Sequence, residues 1–382
     1  LNVTQFTQVA LTVLSCAGVA ELRENGACPT DAWFCGHSVG EYSALSAVTD
    51  VLPLEALVDV VYHRGLTMQR YVPRDENGRS DYAMGVIRPN RAGIDGSMAQ
   101  ELVNTVADES GLPLYVVNHN VLNRQYAVAG HLGAIDALAD RLKDRAPDGS
   151  AWVQIPGIDV PFHSPLLVDG VPAFREVLES CIPQDVDIDR LIGRYVPNLV
   201  ARPFELSADF VDDMIEATGF QDLVEFKKNP PRYARRLLIE LLAWQFASPV
   251  RWIETQEYLA DEVEQLIEVG PESAPVLSNM FRSSTRDRDV VPPVLHGTRD
   301  FNDVVGIGPE PADEPQTDEV RGGVSEPAEQ LLVTNVQTPT ATQVATAAPL
   351  ADEPWGISEA LKALLALRAG QSIDSIGASD TI

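Results

Sequence analysis

The stretch AWFCGHSVGEYSALSAV, residues 32–48, decides the fold of this chain. It contains a short apolar run, then a Gly-x-Ser-x-Gly sequence, then apolar residues at helical spacing, which together predict a strand, a sharp turn and a helix. At such a turn Ser38 takes a strained backbone conformation, so we expect bulkier residues in place of Gly36 or Gly40 to collide. The serine hydroxyl then stands clear of the turn, as a nucleophile must. The alternative interpretation is an ordinary glycine turn.

A nucleophilic serine needs a general base at neutral pH, and histidine is the usual partner. His163 lies in the sequence VPFHSP, where the flanking prolines predict a rigid, non-helical turn that holds an imidazole in one orientation. We therefore interpret His163 as the base. His37 adjoins the serine, but adjacent side chains at such a turn point apart. Three of the other histidines lie in helix or strand patterns and one in a loop near the end of the domain: His63, His119, His131 and His296.

The composition excludes several classes of function. The 382 residues include 28 Lys plus Arg against 56 Asp plus Glu, a formal net charge of −28 that repels nucleic acid and anionic membrane surfaces. No stretch reaches the roughly 18 to 20 uninterrupted apolar residues of a membrane helix. The cysteines lack CxxC spacing and nearby histidine runs, which suggests neither a disulfide framework nor a metal site and is typical of a cytoplasmic protein. They are Cys16, Cys28, Cys35 and Cys181.

Periodicity and composition divide the chain into four parts. Residues 1–81 and 151–305 alternate helical and strand patterns, which predicts an α/β body. Residues 82–150 show the order strand, helix, strand, strand, helix, strand of a ferredoxin-like insert. Residues 306–354 are rich in Pro, Ala, Thr and acidic side chains and predict a flexible linker. The amphipathic pattern in residues 355–382 predicts the start of another domain.

Seven motifs follow one another in residues 1–305, and together they are far more specific than a lone GxSxG. They are TQxxxxA ahead of the turn, GHSVGEYSAL at 36–45, YHRGLTMQ at 62–69, RDENGRSDYAM at 74–84, NHNVLNRQYAVAG at 118–130, VPFHSPLL at 160–167 and QFASPVRW at 245–252. This set resembles the malonyl/acyl-CoA:carrier-protein transacylase family, and more closely the malonyl/palmitoyl transferase domain of fungal-type and actinobacterial type I fatty acid synthases. The resemblance implies an acyltransferase fold, in which an α/β-hydrolase-like parallel-sheet body carries the ferredoxin-like insert.

The resemblance also implies roles for the matching residues. Ser38 is expected to carry the acyl group and His163 to be its base, oriented by a backbone carbonyl near Gln245 in place of the usual carboxylate. The Val39 N–H, at the start of a helix, is expected to donate to the oxyanion. Arg64 is expected to pair with the free carboxylate of a malonyl group. From the residues alone, a surface arginine on an amphipathic helix is an equally good interpretation.

The implied reaction is a ping-pong acyl transfer in fatty acid biosynthesis. Coenzyme A thioesters are the expected substrates, no cofactor is expected to be bound covalently, and palmitoyl transfer is implied by the closer resemblance only. Three further residues are expected to contact substrate in the cleft between body and insert: His37, Asn120 and Gln245. The expected partners are an acyl carrier domain in the same polypeptide, the other synthase domains and further copies of the chain in a homo-oligomer.

Both ends of the chain suggest a segment of a larger polypeptide. Family members begin with a strand and a turn that supplies the second oxyanion donor, and nothing of that kind precedes Leu1, so we expect the isolated chain to be weakly active or inactive. Residues 355–382 resemble the opening of a carrier domain, and the serine that receives phosphopantetheine is expected beyond Ile382. Three nearby serines are therefore not assigned that role: Ser372, Ser375 and Ser379.

Two other functions share some of these features. A serine thioesterase or lipase of the α/β-hydrolase type also uses GxSxG, but it has no use for Arg64. A catalytically idle scaffold that holds the linker and carrier is the second alternative. The missing first strand favours the scaffold for this chain, whereas the presence of both Ser38 and His163 argues against it for the parent protein.

Overall fold

The computed structural model describes residues 4–49, 52–272 and 275–306. The predicted carrier start at 355–382 and nearly all of the predicted linker at 306–354 lie outside the described residues. Those two assignments therefore stay predictions.

The described chain alternates helices and short strands. The α-helices are α1 Thr4–Glu24, α2 Gly40–Thr49, α3 Leu54–Arg70, α4 Gly96–Ser110, α5 Leu132–Arg145, α6 Val171–Cys181, α7 Ala208–Thr218, α8 Ala234–Gln245, α9 Trp252–Glu262, α10 Val276–Ser284 and α11 Phe301–Val305. The strands are β1 Phe34–Cys35, β2 Tyr82–Ile87, β3 Leu114–Val121, β4 Gln125–His131, β5 Trp152–Gln154, β6 Tyr195–Val196, β7 Leu266–Glu268 and β8 Val294–His296.

The insert is a four-stranded antiparallel sheet in the order β3-β4-β2-β5, with α4 and α5 packed against it. Its element order β-α-β-β-α-β and its strand order are those of a ferredoxin-like fold. The last strand, Trp152–Gln154, pairs with β2. The insert therefore runs past the boundary predicted at residue 150, because this short strand completes the sheet.

The body is built from helices around two short parallel strand pairs, β1 with β6 and β7 with β8. Its largest apolar cluster unites α2, α3, α6 and α8. Helix α8 has no exposed face over most of its length, because every residue from Leu237 to Gln245 is buried. The buried polar residue Glu240 is tolerated there because its carboxylate binds Arg175 with two hydrogen bonds of 2.8 Å.

The insert and the body are joined by backbone hydrogen bonds. Val250, which follows α8, receives a hydrogen bond from the His119 N–H at 3.0 Å and donates one to the Val117 carbonyl at 2.9 Å. The segment after α8 therefore lies beside β3 as a short parallel extension of the insert sheet.

Two further observations refine the sequence interpretation. His296, expected in a loop, ends strand β8 and is fully buried, because its strand pairs with β7. Helix α1 is long and apolar enough to cross a membrane by length and composition alone. It packs against α3, and its four buried residues include the polar Gln8 and Thr12.

Candidate active site

Ser38 lies in the turn between β1 and α2 with a left-handed backbone, φ 54°. This region is costly for a residue with a Cβ atom and marks stored strain. The turn is possible because Gly36 has no side chain: a Cβ there would lie 2.1 Å from the carbonyl carbon and oxygen of Gly40. The expectation for Gly40 itself is wrong. A Cβ on that residue would meet nothing within 4 Å, since it would point away from the turn.

Asn198 stabilises the strained turn with two hydrogen bonds. Its side-chain oxygen accepts a hydrogen bond from the Ser38 N–H at 2.7 Å, and its amide nitrogen donates to the Gly36 carbonyl at 2.7 Å. Asn198 is 1% exposed, so both bonds are shielded from water. It follows strand β6, the parallel partner of β1, and this pairing places it against the turn.

His163 meets the serine directly. Its Nε2 lies 2.7 Å from Ser38 Oγ, and its Nδ1 lies 3.0 Å from the Gln245 carbonyl oxygen and 3.2 Å from that of Ser248. Carbonyl oxygens can only accept, so Nδ1 carries the ring proton and Nε2 is the free base that accepts from the serine hydroxyl. No carboxylate is needed to fix this tautomer.

The backbone of His163 is also strained, with φ 60°. Its N–H donates to the Phe246 carbonyl at 2.8 Å. The segment whose carbonyl groups accept the hydrogen bonds of the ring therefore also binds the main chain of His163. Burial lowers the pKa of His163 to about 3, assisted by the charges of Arg64 and His37 and opposed by the two carbonyl hydrogen bonds. The imidazole is therefore neutral, and able to accept a proton, at every physiological pH.

The Val39 N–H stands at the start of α2, beside the serine. Among the residues that the structure describes, no group accepts a hydrogen bond from it. An N–H at a helix N-terminus carries partial positive charge. This one can therefore stabilise the oxyanion that forms on the carbonyl oxygen when Ser38 attacks the carbonyl carbon.

Arg64 reaches the site from α3 and is 2% exposed. Its Nη1 donates to Gln8 Oε1 and its Nη2 to Gln245 Oε1, both at 2.7 Å, while Nη2 also lies 3.5 Å from Ser38 Oγ. The buried Nε has no partner within the described residues. Burial lowers the pKa of Arg64, but a guanidinium keeps its charge in proteins. The interpretation as a surface arginine is therefore wrong.

Glu41, in the first turn of α2, is a fully buried carboxyl group behind the serine. It accepts a short hydrogen bond from the Tyr195 hydroxyl, one of 3.3 Å from the Asn198 N–H and one of 3.0 Å from Gln245 Nε2. Burial raises the pKa of Glu41 to about 7, against these hydrogen bonds and the Arg64 charge, which lower it. All three partners donate, so the ionised form fits this environment best.

His37 and Asn120 lie together on the insert side of the turn. His37 Nε2 is 2.9 Å from Asn120 Oδ1 and 3.4 Å from Asn118 Nδ2, and its ring meets Trp252 edge-on. Burial lowers the pKa of His37, opposed by the hydrogen bond that its ring donates to Asn120 Oδ1. His37 and Asn120, both expected to contact substrate, are therefore hydrogen-bonded to each other beside Ser38.

The structure thus brings Ser38, His163, Val39, Arg64 and Gln245 to one place, with His37 and Asn120 beside it. Sequence reasoning did not single out the residues that hold this group in position: Gln8, Glu41 and Asn198. Gln8 and Glu41 lie inside two of the motifs quoted above, so attention to the polar residues of those motifs would have found them. Within the described residues, no cluster of three metal-binding side chains is found.

A half-buried serine that contacts a buried histidine on a strand–turn–helix of an α/β body defines a serine acyl-transfer or hydrolytic enzyme, and residues 1–155 match the family described as acyl transferase domain. The chain therefore carries an acyl transferase domain, and this match favours acyl transfer over the hydrolase and scaffold alternatives.

The curated relatives are fatty acid synthases. Fatty acid synthase 2 of Mycosarcoma maydis is 39% identical over 320 residues, which cover 71% of this chain and 9% of that protein. The fatty acid synthase subunit beta of Saccharomyces cerevisiae is 36% identical over 278 residues, which cover 61% of this chain and 14% of the subunit. The chain thus spans only about a tenth of the length of these relatives, and it is homologous to a segment of fatty acid synthase.

Solved structures confirm the predicted fold class. FabD from Acinetobacter baumannii has a TM-score of 0.60 at 23% identity, covering 80% of this chain and 81% of that one. The malonyl CoA-acyl carrier protein transacylase of Coxiella burnetii has a TM-score of 0.59 at 22% identity, covering 80% and 78%. These likenesses show the acyltransferase fold, a mixed α/β architecture with parallel strands.

Proposed function

We propose that this chain transfers malonyl groups, and also palmitoyl groups, between coenzyme A and an acyl carrier protein through an ester on Ser38, as one step of fatty acid biosynthesis. One observation carries the proposal: the Ser38 hydroxyl lies 2.7 Å from a neutral imidazole and 3.5 Å from a buried guanidinium. A base and an anion-binding group thus face the same nucleophile, which a simple esterase does not require.

The first half-reaction forms the ester. His163 Nε2 takes the hydroxyl proton while Ser38 Oγ attacks the thioester carbonyl carbon, and the resulting oxyanion is stabilised by the Val39 N–H. The carbon–sulfur bond then breaks, and the departing coenzyme A thiolate takes the proton from the imidazolium. The protein returns to neutral His163 and carries the acyl group on Ser38.

The second half-reaction reverses these steps with a different thiol. His163 removes the proton of the phosphopantetheine thiol of a carrier, the thiolate attacks the ester carbonyl, and Ser38 leaves as the hydroxyl with that proton. Arg64 holds the distal carboxylate of a malonyl group through both halves. One solved structure of similar fold, a malonyl-transacylase described in complex with a type II acyl-carrier protein, supports a carrier as the second partner.

The relatives support the setting of this activity. Since they are fatty acid synthases, we infer that the chain works beside other synthase domains, with a carrier domain in the same polypeptide and in a homo-oligomeric assembly. A cytoplasmic location is part of the same proposal, because it would supply coenzyme A thioesters.

Intact-protein mass spectrometry tests the proposal. The chain, joined at its N-terminus to the strand and oxyanion turn that the family resemblance leads us to expect, is incubated briefly with malonyl-CoA or palmitoyl-CoA. We expect one acyl adduct from each donor, absent in Ser38→Ala. Arg64→Ala should lose the malonyl adduct and keep the palmitoyl adduct. Arg70→Ala, on the exposed end of the same helix α3, is the matched control and should keep both.

Three outcomes would contradict the proposal in different ways. An adduct that survives in Ser38→Ala would place the acyl group elsewhere. Rapid release of free acid without transfer to a carrier thiol would favour the thioesterase alternative. The absence of any adduct on the folded chain would favour the scaffold alternative.

A further inference from the structure

Few charged side chains are buried in this protein. Of the lysine, arginine, aspartate and glutamate residues that the structure describes, three are buried: Glu41, Arg64 and Glu240. Glu240 is compensated by two arginines, since it pairs with Arg175 at 2.8 Å and with Arg236 at 2.9 Å. A buried charge without a counter-charge is expensive. The negative charge of Glu41 and the positive charge of Arg64 therefore compensate each other.

The two charges are connected through one amide. Gln245 Nε2 donates to the Glu41 carboxylate at 3.0 Å, and Gln245 Oε1 accepts from Arg64 Nη2 at 2.7 Å. The amide dipole thus has its positive end toward the carboxylate and its negative end toward the guanidinium. Each charge polarises the bridge in the direction that favours the other.

Above pH 7, where Glu41 is ionised, this arrangement makes the resting pocket neutral overall. If Arg64 had no internal counter-charge, a pocket filled by an uncharged acyl chain would leave a buried, uncompensated guanidinium beside Ser38. With Glu41 ionised, an uncharged acyl group leaves the balance intact. A carboxylated acyl group instead competes with Glu41 for Arg64, although it gains direct hydrogen bonds.

We propose that Glu41 is a specificity-determining positioning residue, whose buried carboxylate acts on Arg64 through the Gln245 amide and so lets Ser38 accept uncharged as well as carboxylated acyl groups. The inference rests on the proposed function, because it concerns the choice between malonyl and palmitoyl donors. Glu41 touches neither substrate nor the reacting atoms. Its influence is on the charge that the substrate meets.

The test is the ratio of the initial rates at which malonyl-CoA and palmitoyl-CoA acylate Ser38. Glu41→Gln nearly preserves the shape of the side chain and removes its charge, so Arg64 attracts the malonyl carboxylate more strongly. We expect the malonyl-to-palmitoyl ratio to rise roughly tenfold. In an Arg64→Ala background, which loses the malonyl adduct, the same substitution should neither restore that adduct nor change the palmitoyl rate, because the group through which Glu41 acts is gone.

Tyr195→Phe is the matched structural control. It removes one hydrogen bond to Glu41 and leaves Arg64 in place, so at pH 9, where Glu41 stays ionised, the ratio should stay within about twofold of the unmodified chain. If Glu41→Gln instead lowers both rates equally, the residue is only structural and the inference is overturned while the proposed function stands. If the unmodified chain forms no ester with either donor, the proposed function fails, and the inference fails with it.

Should Glu41→Gln not fold, the unmodified chain supplies the same test through pH. Protonation of Glu41 as pH falls from 8 to 6 should raise the malonyl-to-palmitoyl ratio, and in Arg64→Ala the same change of pH should not restore the malonyl adduct. The titratable groups around the carboxylate are Arg64 on α3, Tyr42 on α2, Tyr195 on β6 and Cys35 on β1. Burial raises the pKa of Tyr42, Tyr195 and Cys35 above this range, so none of these three titrates with Glu41. A ratio in the unmodified chain that is independent of pH would overturn the inference.

Discussion

Ser38 and His163 both hold left-handed backbones, with φ of 54° and 60°, and their side chains meet at 2.7 Å. The backbone N–H of each strained residue donates a hydrogen bond: that of Ser38 to the Asn198 side chain and that of His163 to the Phe246 carbonyl. Strain of this kind costs of order 1 kcal/mol or more at each residue and persists only where surrounding bonds enforce it. The short contact between the two side chains therefore depends on strain at both of its ends.

The strain at Ser38 can be measured with two inactive variants. Ser38→Ala and Ser38→Gly both lose the nucleophile, but only glycine relieves the left-handed backbone. We expect the glycine variant to be more stable than the alanine variant by about 0.5 to 1 kcal/mol in urea unfolding. At Ser180, in helix α6, the order should reverse, since alanine is the better helix former. Equal stability at residue 38 would contradict the account of strain.

The two glycines of the turn should respond differently to a methyl group. Gly36→Ala places a Cβ 2.1 Å from backbone atoms of Gly40 and should cost about 3 kcal/mol of unfolding free energy. Gly40→Ala meets no atom within 4 Å and should change stability by less than about 0.5 kcal/mol. Urea unfolding of both variants decides the point, and a strongly destabilised Gly40→Ala would contradict the structure.

Asn198 should matter for both stability and rate. Asn198→Ala leaves the buried Ser38 N–H and Gly36 carbonyl without partners, which should cost about 3 kcal/mol in total. The loosened turn should also lower the acylation rate roughly a hundredfold. Asn104→Ala, on the exposed face of α4, is the control and should change neither quantity. An Asn198→Ala variant of normal stability and reduced rate would show that the contact serves catalysis alone.

The burial of His163 predicts how stability depends on pH. Its pKa is about 3 in the folded protein and 6.5 when free, so the unfolded chain takes up the proton first as pH falls. Stability is therefore lost as pH falls from 6.5 toward 3. Between pH 6.5 and pH 5 the loss should be about 2 kcal/mol.

His163→Gln isolates this contribution. Glu41, whose raised pKa has the opposite effect on stability, is present in both chains and cancels in the comparison. Urea unfolding at several pH values should show the unmodified chain losing about 2 kcal/mol more than the variant over that interval. Parallel pH curves for the two chains would show that the folded imidazole is not shielded from protons.

The sequence predicted the fold class and the chemical centre because both depend on short-range patterns. A glycine-flanked serine after a strand and a histidine between prolines are recognisable within a few residues. Asn198 has no such pattern: it contacts Ser38 across 160 residues of chain, and nothing in its neighbours marks that contact. Its role follows only from the pairing of β1 with β6.

Other differences arose where sequence periodicity does not report burial. A glutamate usually marks an exposed position, yet Glu240 in α8 is buried because two arginines neutralise it. The direction of a Cβ on Gly40 depends on how α2 leaves the turn, which no local pattern encodes. The fourth strand of the insert is three residues long, too short to fix a boundary by alternation.

The hydrogen bonds at Val250 have a mechanical consequence. The segment from Gln245 to Val250 supplies both carbonyl groups that hold the His163 ring, and its last residue is bonded to β3 of the insert. A force that pulled the insert away from the body would therefore act on this segment and, through its carbonyl groups, on the orientation of the imidazole. A pulling force on the insert, such as a tethered carrier could exert, would be transmitted to the His163 imidazole through the five peptide bonds between Gln245 and Val250.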